Sequence, residues 1–80
     1  MSEKPEWLDD AVPEWLDDFA EVLGVDPPTF EEIDELLRLA GVAAHASRRQ
    51  AAPVATWLVA KSGMSISDAH AFARQVESRS

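Results

Sequence analysis

The sequence contains no cysteine, so neither a disulfide nor a thiolate metal site can supplement its core. Glycine is scarce and scattered, at Gly24, Gly41 and Gly63, which excludes a glycine-rich phosphate loop. No stretch approaches the roughly 20 apolar residues that cross a bilayer, and the opening MSEKPEW has neither the basic start nor the apolar run of a secretory leader. A cytoplasmic protein with no membrane partner is therefore the expectation. Strand signals are missing too: no run alternates with β-branched residues, and no Asn-Gly turn joins two such runs.

What the 80 residues do contain is apolar material, 46% by count, and a divided charge. Residues 1–36 hold thirteen carboxylates against Lys4 alone, and residues 37–80 hold six cations against Asp68 and Glu77, which gives local charges of −12 and +4 within a net −8. Such asymmetry speaks to partners and solubility rather than to fold. The acidic half should repel nucleic acid and anionic membranes and suit a basic protein surface. The scattered cations of the second half form no dense cluster to displace counterions, so nucleic acid is not an expected partner.

The hexapeptide PEWLDD occurs twice, at 5–10 and 13–18. Each copy opens with proline, which fits the first turn of a helix, and continues with carboxylates that complement the helix dipole. The second copy runs on as EWLDDFAEVLG, with Trp15, Leu16, Phe19, Val22 and Leu23 on one stripe and Gly24 as the stop. A helix over 13–23 is predicted. Pro13 prevents the first copy from extending likewise, so residues 1–12 read as an N-terminal arm or short helical turn, and residues 13–80 as a single helical domain.

Thr29 opens a T-F-E-E capping box for a helix over 30–46, with Phe30, Ile33, Leu36, Leu37, Ala40 and Ala44 facing inward. Gly41 and its alanine neighbours would let another helix approach closely. Two more helices are predicted, over 53–62 beginning at Pro53 and over 66–77 after the Ser65–Asp68 capping signal. The fold class is all-α, a compact bundle of four short helices. Its expected core joins Trp15, Phe19, Leu23, Ile33, Leu36, Leu37, Trp57, Leu58 and Phe72, with the third helix at the centre.

From Trp15 to Leu58 the pattern W-L-D-D-F, L-G-V, L-L-x-L-A, A-A-H and R-Q-A-A-P-V-A-T-W-L resembles a small actinobacterial helical domain of unknown function. That domain is encoded near, or fused to, molybdenum-cofactor guanylyltransferases and formate dehydrogenase accessory proteins. His45–Leu58 is the specific part, and residues 1–12 lie outside the resemblance. It implies an accessory or interaction role in molybdenum-cofactor maturation, with a nucleotidyltransferase as protein partner, and supplies no catalytic residues.

Two surfaces are candidates for function. His45, Arg48, Arg49 and Gln50 stand just before the third helix, whose first N–H groups lack intrahelical partners. Arginine forks and free amides together suit a phosphate, a nucleotide or another small anion; the competing reading pairs Arg48 and Arg49 with Asp17, Asp18 or Glu21. The second candidate is the spare PEWLDD copy, where Trp7 and Leu8 could anchor a partner or a second subunit, or fold back as a lid. Carboxylates are plentiful but fall on predicted wet faces, and His45 and His70 stand at no metal-ligand spacing. The expectation is accordingly a non-catalytic chain with no metal and no cofactor.

Overall fold

In the computed structural model, which describes residues 3–79, the chain forms four helices: α1 Ala11–Leu23, α2 Phe30–Ala46, α3 Ala51–Ser62 and α4 Ile66–Glu77. No strand occurs among the described residues. The all-α class holds, and α2 and α4 have the predicted bounds. By contrast, α1 and α3 each begin two residues earlier than expected, at Ala11 rather than Pro13 and at Ala51 rather than Pro53. Both prolines therefore occupy the third helical position. A missing N–H costs little there, because the first-turn amides have no carbonyl four residues back within the helix.

The residues cluster into two units, Met1–Ile33 and Asp34–Ser80, and the boundary between them falls inside α2.

In the first unit the two PEWLDD copies take different conformations. Residues 5–8 form a turn in which the Leu8 amide donates to the Pro5 carbonyl at 3.1 Å. The Lys4 ammonium closes that turn by donating to the Leu8 carbonyl at 2.6 Å, and it also pairs with Asp10. The end of the first copy then serves the next helix, as an Asp9 carboxylate oxygen accepts from the Ala11 amide at 2.8 Å. The second copy lies wholly within α1. In both, leucine is the sheltered residue and tryptophan the exposed one: Leu8 is buried and Leu16 half-buried, while Trp7 and Trp15 face solvent.

Gly24 ends α1 at φ 75°, a left-handed conformation that glycine adopts without a Cβ penalty. The predicted capping box then starts α2: the Thr29 amide donates to Glu32 Oε1 at 2.8 Å, and the Glu32 amide to Thr29 Oγ1 at 3.1 Å.

In the second unit, Ser65 caps α4 by accepting from the Asp68 amide at 3.2 Å. Ser67 Oγ donates to Glu35 Oε2 at 2.8 Å and so ties the start of α4 to α2. Arg38 and Asp34 pair along α2 at 3.1 Å. A Cβ at Gly41 would meet nothing within 4 Å, so the close helix approach expected there does not occur.

The buried apolar residues are Leu8, Ala20 and Ile33 in the first unit and Leu39 and Ala69 in the second. Of the predicted core, Ile33 is buried and Leu36 half-buried; Trp15, Phe19, Leu23, Leu37, Trp57, Leu58 and Phe72 are exposed. In α1 the apolar arc is broad, and its Leu16–Ala20 side is the sheltered one. In α2 the sheltered side changes along the helix. Ile33 and Leu39, six residues apart, stand about 120° apart around the axis at 100° per residue. Ile33 belongs to the first unit and Leu39 to the second.

Candidate functional site

Alanine governs the second unit. Ala43 and Ala46 on α2, Ala51 and Ala55 on α3, and Ala69 and Ala73 on α4 recur at helical spacing and line one open groove of about 450 Å³. Small side chains leave the space between helices unfilled, and larger ones rim it: Leu39, Val42, Leu58, Met64, Phe72 and Val76. The only polar residues in its lining are Ser47, Ser62 and Glu77. The Ser62 hydroxyl is already committed, donating to the Val59 carbonyl at 2.6 Å and accepting from the Met64 amide at 3.1 Å.

Helix α3 is the unusual wall. Residues 51–60 are AAPVATWLVA, apolar on every side apart from Thr56, whose hydroxyl donates to the Pro53 carbonyl at 2.7 Å. A helix that is hydrophobic all round is normally buried, yet no residue of α3 is. Its Ala55–Leu58–Val59 side faces the groove. Val54 and Trp57 are exposed, and the Lys61 ammonium lies 4.8 Å from the centre of the Trp57 ring. The expected place of α3 as the central core helix is thus corrected: its apolar surface is displayed. A smaller cleft of about 270 Å³ in the first unit is lined by Pro13, Leu16, Asp17, Pro28, Thr29, Phe30 and Ile33, with Thr29 engaged in its capping box.

The anion-binding candidates stand at the end of α2 and just before α3. His45, Arg48, Arg49 and Gln50 are all exposed. Because α2 ends at Ala46, His45 and Arg49 do not share a helical face. The helix-start amides are engaged as well: the Ala51 amide donates to the Arg48 carbonyl at 2.8 Å, and the Ala52 amide to the Arg49 carbonyl at 3.1 Å. Pro53 has no N–H to offer. The two arginines brought to this corner thus supply charge, while their own carbonyls occupy the amides that an anion would need. Gln50 stands at the N-cap position and makes no side-chain capping bond. Neither Arg48 nor Arg49 forms an ion pair among the described residues, so the expected pairing with Asp17, Asp18 or Glu21 is not seen either.

The partner-binding candidates separate. Trp7 is 57% exposed, whereas Leu8 is only 4% exposed and so cannot reach a partner without leaving its place. Among the described residues no group of three or more histidines and carboxylates is placed to hold a metal ion, and no helix is long and apolar enough to cross a membrane. Reasoning from the sequence missed the groove. Its signal was the alanine spacing on three helices, together with an α3 that has no polar side.

A family model described as Domain of unknown function (DUF6457) matches residues 8–79. No curated protein and no solved structure matches the chain.

Proposed function

The chain belongs to the DUF6457 family, and we propose that it works as a non-catalytic interaction module whose docking surface is the apolar groove of α2, α3 and α4. The observation that carries this reading is the display of α3, an all-round apolar helix with no buried residue, beside a groove almost free of polar atoms. Such a groove cannot satisfy the backbone groups of an extended peptide, and an unpaired buried polar group costs free energy. A helix satisfies its own backbone, so the fitting ligand is an amphipathic helix that presses large apolar side chains between Leu58 and Phe72. The likeness of Trp15–Leu58 to domains found beside molybdenum-cofactor guanylyltransferases supports a nucleotidyltransferase as the partner and a place in molybdenum-cofactor maturation. The cytoplasm, where such an enzyme works, is the compartment this reading requires.

Isothermal titration of the chain with the guanylyltransferase is the test. Leu58→Glu puts a charge on the groove wall and should weaken binding at least about tenfold, a loss of about 1.4 kcal/mol. The Arg48→Ala/Arg49→Ala double variant should bind as the parent chain does. The reading fails if the parent chain does not bind, or if Leu58→Glu binds equally well. A small-anion site at residues 45–50 gains ground instead if only the arginine double variant loses affinity.

A further inference from the structure

Two helix faces outside the groove are left uncovered, and they are opposite in character. On α1, Trp15, Phe19 and Val22 stand at i, i+4 and i+7 and are all exposed. The two rings lie against each other with centroids 4.9 Å apart, so the ridge presents one continuous aromatic surface. Around it α1 carries Glu14, Asp17, Asp18 and Glu21 and no cation. On α3 the exposed Val54, Trp57 and Lys61 recur at i, i+3 and i+7, a stripe that borders the groove-lining Ala51 and Leu58 without itself lining the groove. No carboxylate occurs between Leu36 and Ser67, while Arg48, Arg49 and Lys61 all do. The arginines are free of ion pairs among the described residues.

We propose that the occupant of the outer α3 face is a second copy of this chain, which lays its α1 ridge of Trp15, Phe19 and Val22 across Val54 and Trp57. The partner is argued from charge. One chain carries an acid-flanked apolar ridge and a base-flanked apolar face, so two copies are complementary. Aromatic side chains at the centre supply the affinity, and the flanking charges set orientation and encounter. Carboxylates meeting cations at the rim make the association dependent on salt, because rim charges are screened within about 3 Å at 1 M ionic strength.

Sedimentation equilibrium of the intact chain over a wide concentration range tests this. The expected result is a mass rising with concentration toward twice 8.8 kDa, with association weakened by molar salt. Trp15→Ala/Phe19→Ala removes the ridge, and Val54→Ala/Trp57→Ala removes the receiving face. Each double variant should dimerise at least about tenfold more weakly than the parent chain. All four side chains are exposed, so far-UV circular dichroism should show both variants folded. Mixing the two should restore association beyond either alone, because one ridge and one receiving face remain intact in the mixed pair. A parent chain that stays monomeric throughout, or a mixture that associates no better than its components, overturns the proposal.

Discussion

Replacing Leu39 by alanine should remove about 2–5 kcal/mol of folding stability, the range found for deleting a large aliphatic side chain from a packed interior. Leu39 is 1% exposed, the most completely buried large side chain described. An 80-residue chain has a total stability of only about 4–12 kcal/mol at the usual 0.05–0.15 kcal/mol per residue. The loss therefore takes a large share of the whole. Leu37 has the same side chain on the same helix but is exposed, so Leu37→Ala should cost well under half as much. Urea unfolding followed by far-UV circular dichroism reads both values, as a shift in midpoint at unchanged slope. Equal losses at the two positions would mean that the face of α2 turned inward is not the one described.

Leu8→Ala should be the second large effect, again about 2–5 kcal/mol. Here the contrast lies between neighbours: Trp7→Ala should stay within about 0.5 kcal/mol, as substitutions of exposed residues usually do. The larger side chain is thus the one expected to matter less to stability. Leu8 is held by the turn that Lys4 and Pro5 build, and Trp7 projects from the same turn into solvent. Thermal melts of the two variants decide the matter. A costly Trp7→Ala beside a harmless Leu8→Ala would reverse the roles assigned to the two residues.

Helix existence was legible in this sequence because local chemistry decides it. The Thr29–Glu32 box, the Ser65 cap and the terminating Gly24 and Gly63 all act as their residue types suggest. The helix starts at Ala11 and Ala51 were not legible, since proline suits several first-turn positions and its presence does not choose among them. Burial was the least legible property. Periodicity marks an apolar arc but not the part of it that is covered, and the arc of α1 from Val12 to Ala20 is wider than what is sheltered. For α2, the periodicity predicts a single inward stripe, whereas the helix uses one side at Ile33 and another at Leu39. The anion corner read plausibly from its side chains because the loss of its amides to the Arg48 and Arg49 carbonyls depends on backbone geometry. The groove is written in what is small rather than in what is large, and a search for bulky anchors passes over it.

The three tryptophans all face solvent, at 57% for Trp7, 61% for Trp15 and 58% for Trp57, and the chain has no tyrosine. Its ultraviolet emission therefore comes from indoles that are already wet in the native state. Denaturation removes only partial cover, together with the contacts of Trp15 with Phe19 and of Trp57 with Lys61, so the intrinsic signal shifts less on unfolding than that of a buried indole. Association is another matter: covering the α1 ridge and the outer α3 face would dry Trp15 and Trp57 together and move the emission to shorter wavelength, with Trp7 left as the unshifted background. The same chain is thus optically less responsive to its own unfolding than to a partner that covers these faces.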